Sequence, residues 1–314
     1  MHDMLRYHMG WLDEDLRTLP AGSGKAVRPS LSLYACDALG GNPELAISPA
    51  VSVELIHNFS LIHDDIQDGD IERRHRPTVW YKWGHSHGLN SGTAMNAIAN
   101  LEIVGDCRRP LSPEKRIAIS RVLTSACVQM IEGQTLDLGY EQKPRVSVDE
   151  YLVMIQKKTG ALLETSLMVG ALAATDDAAS LESMHQFGHA IGRLFQVRDD
   201  MLGVWGNPKA TGKPAASDLH RRKKSLPVVH ALQSTDSSAA SRFASLYKSQ
   251  EPFSEVDIHE LLGVMENLGS RAYCQRLAKQ EAHKAVEALQ AIPGPAVART
   301  DGNAFVRFLL EREY

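Results

Sequence analysis

Apolar residues recur every three or four positions along most of this 314-residue chain, and no segment shows the period-two alternation of a half-buried strand. The pattern predicts an all-α protein. Helices are expected over roughly 29–39, 48–68, 88–105, 113–138, 147–174, 178–204, 223–233, 239–248, 256–267, 271–291 and 303–313. Breaks fall at Gly40-Gly41-Asn42-Pro43, Arg109-Pro110, Lys143-Pro144, Gly206-Asn207-Pro208 and Pro293-Gly294-Pro295. Ser112-Pro113-Glu114 reads as a helix start, with a capping hydroxyl before a first-turn proline. None of the breaks is long enough to be an interdomain linker, and there is no repeat of fixed period. A single helical domain over 1–314 is therefore expected. Several helices reach twenty residues, which suits a large bundle with a cavity between helices.

Two predicted helices carry carboxylates where an apolar face would otherwise continue: Asp64-Asp65-Ile66-Gln67-Asp68, and Asp199-Asp200. Residues four apart return to nearly the same helix face, so the Asp64 and Asp68 carboxylates can point one way, with Asp65 about 100° round the helix. Like charges at that spacing cost a helix a few tenths of a kcal/mol when nothing neutralises them. A bound cation would do so. Oxygen donors without cysteine suit a hard ion, and Mg²⁺ is commonly held by one or two carboxylates plus substrate phosphates. One acidic pair alone equally fits a solvated helix face.

Basic segments accompany the carboxylates. Gly22-Ser23-Gly24-Lys25-Ala26-Val27-Arg28-Pro29 carries Lys25 and Arg28 ahead of a helix, without the spacing of a Walker loop. Arg73-Arg74-His75-Arg76 directly follows the first acidic cluster, and arginine forks match phosphate oxygens. Lys157-Lys158-Thr159-Gly160 lies in a long apolar helix. Gly212-Lys213-Pro214, Asp218-Leu219 and Arg221-Arg222-Lys223-Lys224-Ser225-Leu226-Pro227 follow the second acidic pair and read as a loop able to close over phosphate. His57 stands two helical turns before Asp64 on a similar face.

Bulk properties narrow the classes. Hydrophobic residues make up 43% and charged residues 23%, ordinary for a globular protein. A formal net charge of −4 gives no electrostatic case for nucleic-acid binding. No apolar run of bilayer-spanning length is evident, and the first residues lack the apolar region of a signal peptide. Cys36, Cys107, Cys127 and Cys274 show no CxxC spacing and read as buried thiols of a reducing cytoplasm.

Taken in order, these strings resemble the trans-prenyl diphosphate synthases, the polyprenyl synthetase family, from Gly24 to beyond Pro227. The strings are Gly24-Lys25-Ala26-Val27-Arg28-Pro29, the run Glu54 to Asp68, Glu132-Gly133-Gln134, Lys158-Thr159-Gly160, Phe195-Gln196-Val197-Arg198-Asp199-Asp200, and Gly212-Lys213 with Asp218-Leu219 and Lys223-Lys224-Ser225-Leu226-Pro227. The resemblance implies a helical bundle of the isoprenoid synthase type and a homodimer. It implies three Mg²⁺ ions, held by Asp64 and Asp68 and by Asp199 with help from Asp200, bridging to an allylic diphosphate. Arg73, Lys158, Lys213 and Lys223 would grip that diphosphate. Lys25, Arg28, His57 and Arg74 would grip isopentenyl diphosphate. Thr159 and Gln196 would lie near the developing cation, and Asp65 completes the acidic motif.

The chain departs from the family pattern in two places. The second motif ends Met201-Leu202-Gly203, lacking its usual last Asp, and Thr93 stands where an Asp is common. Phe59 lies five residues before Asp64, about 7.5 Å along a helix, and is expected to form the floor of the tail pocket, with Ser60 too small to block. An aromatic there resembles geranylgeranyl (C20) synthases, with farnesyl (C15) or longer products as alternatives. A class I terpene cyclase is a rival; it would need no second diphosphate site. A non-catalytic partner subunit and a metal-independent helical scaffold are the others.

Overall fold

The computed structural model describes residues 1–20, 26–105, 111–143, 145–208, 215–234, 238–248, 251–292 and 296–313. Its elements are α1 (His2–His8), α2 (Val27–Ala38), a 3₁₀ turn (Pro43–Ala46), α3 (Ile47–Gln67), β1 (Glu72–Arg73), β2 (Arg76–Pro77), α4 (Val79–Trp83), α5 (His85–Val104), α6 (Pro113–Gln142), α7 (Val148–Ile155), a π-helical turn (Gln156–Gly160), α8 (Ala161–Ala174), α9 (Ala178–Trp205), α10 (Ser217–His220), α11 (Leu226–Gln233), α12 (Ser238–Lys248), α13 (Glu255–Asn267), α14 (Ser270–Gln290) and α15 (Ala296–Glu311). The expected all-α class holds.

Four features differ from the pattern-based expectation. A two-residue-per-strand antiparallel hairpin pairs Glu72 with Pro77 and Arg73 with Arg76. Helices α1 and α4 are too short to carry a visible period. The expected 147–174 helix is interrupted by the π turn. A 25-residue stretch, Pro43–Gln67, is long and apolar enough to cross a bilayer by length and composition, against the expectation of no such run. Half of its most apolar window is buried in the fold. The capping expectation holds: Ser112 Oγ accepts from Lys115 N at 3.3 Å.

The residues form two compact units, Met1–Cys127 with Thr165–Leu181, and Val128–Glu164 with Glu182–Tyr314. In the first, α3 and α5 pack through small contacts. Ser52 Oγ donates to Ala99 O at 2.8 Å. A Cβ at Gly92 would lie 2.4 Å from the His63 ring, and one at Gly88 2.8 Å from Ile66 Cδ1. The α3 face toward α5 therefore runs through Ser52, Phe59, His63 and Ile66.

The second unit has a core of Val204, Leu219, Val228, Phe243, Leu261 and Met265, contributed by α9 to α13. Helix α7 starts with a capping box, Ser147 Oγ accepting from Glu150 N while Glu150 accepts from Ser147 N, worth about 1 kcal/mol. Lys224 ties the end of α6 by donating to the carbonyls of Tyr140, Glu141 and Lys143.

Glu164 joins the start of α8 to α9. Gly188 gives it room, since a Cβ there would lie 2.7 Å from Glu164 Cα. The carboxylate meets His185 Nε2 at 3.0 Å and His189 Nδ1 at 3.4 Å. Burial opposes its ionisation, but the hydrogen bonds from the two histidines prevail and hold it at about 2. His185 is raised, chiefly by the same hydrogen bond. The Glu164 contribution to stability is present above its ordinary 4.5 and is lost as pH falls toward 2. The His185 contribution is full below its ordinary 6.5 and is lost as pH rises through its raised folded value. Melting temperature should therefore fall as pH rises from His185's ordinary 6.5 through its raised folded value. Glu164→Gln should flatten that limb in thermal melts across the range; an unchanged slope in the variant would refute the assignment.

Candidate active site

The first acidic cluster ends α3. Asp64 is half-buried and Asp68, at the helix C-cap, is exposed. Their neighbour Asp65 points inward, 1% exposed, and accepts from Arg73 Nε at 2.7 Å. Burial raises its carboxyl to about 6 against the pull of Arg73. Asp64 and Asp68 thus present oxygens outward, while Asp65 anchors the hairpin that follows.

That hairpin turns through Arg74 and His75, both in the left-handed region at φ 54° and 60°. It gathers Arg73, Arg74 and Arg76 beside Tyr7 and His8 of α1, and these line one small cavity with Asp65. Arg76 donates to Leu12 O and lies 4.1 Å from the centre of the Tyr7 ring. His8 Nε2 is buried with no partner, and burial plus Arg73 and Arg74 lower the ring to about 3. His57 falls well below its ordinary value through burial and then Arg28, Arg74 and Arg73. Arg28, half-buried at the start of α2, is lowered to about 10 by desolvation despite the attraction of Glu54. Three of the four groups expected at the isopentenyl diphosphate, Arg28, His57 and Arg74, thus feel one another's charge. Such a concentration of cations with two neutral imidazoles is the electrostatic footprint of an anion site. The fourth group, Lys25, lies outside the described residues. His8 carries no signal in the sequence, because α1 has no cap or visible period.

The second cluster lies on α9 and divides in the same way. Asp199 is exposed, with Arg312 Nη2 of α15 3.5 Å from its Oδ1. Asp200 is 4% exposed and engaged on both oxygens: Gln196 Nε2 donates to Oδ1 at 2.9 Å, Tyr151 Oη to Oδ2 at 2.6 Å, and Leu226 N to Oδ2 at 3.0 Å. Burial raises it to about 7 against those three donors. Tyr151 was not anticipated; it sits on the α7 face pointing at α9, a contact no local motif announces.

The π turn carries Lys158 and Thr159. Thr159 Oγ1 donates to Gln196 Oε1 at 2.8 Å, so Thr159, Gln196, Asp200 and Tyr151 form one chain of hydrogen bonds. Lys158 pairs with Asp137 of α6, and Lys157 with Glu132 at 2.6 Å. A diphosphate gripped by Lys158 would share it with Asp137, a partner the motif reading lacked. The turn lies close on Gly133, where a Cβ would be 2.2 Å from Lys158 N. Lys223 is exposed, and Lys213 lies outside the described residues.

The outward carboxylates fit a hard divalent ion. Asp64 and Asp68 on α3, and separately Asp199 on α9, offer oxygen donors only. Among the described residues no three His, Cys, Asp or Glu side chains form a ready-made metal group. An ion here would take one or two carboxylates and complete its shell with phosphate oxygens and water.

Phe59 is 5% exposed and meets His63 edge to face, ring centres 5.7 Å apart. Ser60 Oγ donates to His57 O at 2.8 Å. Five residues advance the helix by about 7.5 Å and turn it by about 140°, so Phe59 lies about one and a half turns before Asp64.

Comparison with known proteins finds the family that the motifs resemble. The polyprenyl synthetase family profile matches residues 9–265. The chain is 38% identical over its whole length to a (2E,6E)-farnesyl diphosphate synthase of Mycobacterium bovis, covering 86% of that protein. It is also 38% identical, over 99% of its length, to a geranylgeranyl diphosphate synthase of Mycobacterium tuberculosis, again covering 86%. The crystal structure of a polyprenyl synthetase from Streptomyces coelicolor superposes with a TM-score of 0.90 at 37% identity, over 98% of this chain and 91% of that one.

Proposed function

This chain belongs to the polyprenyl synthetase family and is a prenyltransferase, and on that premise we propose that it condenses an allylic diphosphate with isopentenyl diphosphate to make geranylgeranyl diphosphate (C20). The observation that supports the two-substrate reading is the gathering of Arg28 and Arg74 about the neutral imidazole of His57, a second basic group besides those that follow the second acidic motif. A terpene cyclase, acting on one diphosphate, has no use for it.

Magnesium bound by Asp64, Asp68 and Asp199 would neutralise charge on the departing diphosphate, and three ions are proposed. Arg73, Lys158, Lys213 and Lys223 would orient the allylic diphosphate. Lys25, Arg28, His57 and Arg74 would hold isopentenyl diphosphate with its double bond toward the cationic carbon. Thr159 and Gln196, tied together at 2.8 Å, would turn oxygen dipoles toward the developing positive charge. Asp65 and Asp200 act through others: one fixes Arg73, the other fixes Gln196. The leaving diphosphate would accept the proton lost after bond formation, consistent with neutral, poorly basic imidazoles in the pocket.

The C20 assignment is supported by buried Phe59 with small Ser60 beside it, and a relative named for that product. Equal identity to a farnesyl synthase keeps C15 as the alternative. Extension of farnesyl diphosphate with labelled isopentenyl diphosphate should give C20 as the main product, and Phe59→Ala should lengthen it. A main product of C15, or of C30 and above, would refute the assignment. We also propose a homodimer: Leu101 and Val104 of α5 and Ile117 of α6 are each at least 60% exposed, an apolar surface that a second copy would cover.

A further inference from the structure

The last residue of α1 carries a buried ring nitrogen with no partner, beside the arginines of the hairpin. Helix α1 is fastened there by its neighbours. Tyr7 Oη donates to Pro77 O at 2.8 Å, and Arg76 stands over the Tyr7 ring while donating to Leu12 O at 2.5 Å. The chain leaves α1 through Gly10 at φ 75°, with Gly10 N donating to Tyr7 O at 2.9 Å. His8 thereby lines the cavity it shares with Asp65, Arg73, Arg74 and Arg76. That cavity measures about 20 Å³, room for one water-sized group such as a single phosphate oxygen.

The other ring nitrogen of His8 is engaged. Asn58 Nδ2 donates to Glu54 O at 2.8 Å and to Glu54 Oε1 at 3.0 Å, which uses both of its hydrogens. The hydrogen bond between Asn58 and His8 therefore runs from a ring N–H to Asn58 Oδ1, and since Nε2 has no partner the donor is Nδ1. Glu54, Asn58 and His8 form one chain, leaving Nε2 a bare lone pair in the neutral ring. The charges that bear on the ring from the hairpin are Arg73, Arg74 and Arg76. On α3, His57 feels His8, and Asp65 accepts from Arg73. On α4, Lys82 stands 5.7 Å from the centre of the Tyr7 ring.

A lone pair cannot bind an anion, so the ring becomes a ligand only by taking a proton. With the ring at about 3, holding a proton at pH 7 needs a gain of about 10⁴-fold in proton affinity. One unit of negative charge at about 4 Å supplies about 10³-fold in partly screened surroundings. A diphosphate brings more than one, so its entry is enough.

We propose that His8 is a further ligand of isopentenyl diphosphate: as the diphosphate enters, Nε2 takes one proton from solvent and donates a hydrogen bond to a phosphate oxygen. The inference rests on the reading of Arg28, His57 and Arg74 as the isopentenyl diphosphate site. Nδ1–H stays on Asn58, which Glu54 holds in place. A protonated ring is no base, so the departing diphosphate remains the acceptor of the proton lost in the reaction.

The test is calorimetric titration of the full-length protein with isopentenyl diphosphate alone, without allylic substrate or Mg²⁺, at pH 7 in two buffers of different ionisation enthalpy. The difference in apparent enthalpy counts the protons taken up, and protons exchanged by the diphosphate itself cancel between parent and variant. His8→Asn should take up about one proton fewer than the parent and bind about 10-fold more weakly. Parental affinity should fall as pH rises from 7 to 9, and that of His8→Asn should fall less. In steady state the variant's KM for isopentenyl diphosphate should rise about 10-fold while that for the allylic diphosphate stays within about 2-fold. His8→Gln repeats the measurements with a longer uncharged amide should His8→Asn fail to fold. Proton uptake equal to the parent's in a folded variant would overturn the proposal by reducing His8 to a support for Asn58. So would parental affinity for isopentenyl diphosphate. Arg74→Ala separates the two readings: parental affinity there removes the isopentenyl site itself, whereas its loss of affinity beside an indifferent His8 variant rejects only the present inference.

Discussion

Asp64→Asn is expected to turn over about 10³-fold more slowly than the parent, a loss of about 4 kcal/mol of transition-state stabilisation. The substitution keeps the shape and removes one unit of negative charge from the outward face of α3. An ion held there by two carboxylates four residues apart would lose one, and the diphosphate leaving group would lose the charge set against it. Stability should hardly move, because the side chain is half-buried at a helix end and such changes cost about 0.5 kcal/mol or less. The adjacent residue makes the contrast. Asp65 is 1% exposed and bonded to Arg73, so Asp65→Ala strands a guanidinium and should cost about 3 kcal/mol or more in stability. Thermal melts and steady-state rates with farnesyl and isopentenyl diphosphates measure both effects. Turnover of Asp64→Asn within 10-fold of the parent would remove the metal role.

That contrast between neighbours explains what the sequence could and could not tell. The long helices were legible because each buries one stripe, and their ends carried caps or breaks: α3, α9 and α13 match expectation to within a residue or two. The ordered motifs were legible because the chemistry needs those residue types. Which of two adjacent aspartates faces outward was not, since it depends on helix azimuth against a distant partner. Arg73 for Asp65, and Tyr151 for Asp200, are such partners. The π turn escaped because one extra residue per turn leaves an apolar run looking continuous.

Gly133→Ala should be among the most damaging single-methyl changes in this protein. Position 133 lies inside α6, where alanine is ordinarily better than glycine by about 1 kcal/mol. Gly139, on the same helix, shows the ordinary case: a Cβ there meets nothing within 4 Å, and Gly139→Ala should be neutral or slightly stabilising. At Gly133 a Cβ would lie 2.2 Å from Lys158 N, 2.6 Å from Lys158 Cα and 2.8 Å from the carbonyl carbon of Lys157. All three are backbone atoms, so no side-chain rotation can relieve the contact. Either α6 or the π turn must move by about 1 Å to reach ordinary contact distance. Overpacking of that kind costs about 1–3 kcal/mol. The displaced turn carries Lys158 and Thr159, so the Thr159–Gln196 bond at 2.8 Å and the Lys158–Asp137 pair are disturbed together. A misplacement of about 1 Å near reacting groups costs about 10²-fold in rate. The Gly133→Ala enzyme should therefore lose turnover even at temperatures where its far-ultraviolet circular dichroism is native, while Gly139→Ala keeps parental kinetics. Parental rates in both variants would mean that the close approach of α6 to the π turn has no part in placing Lys158 and Thr159.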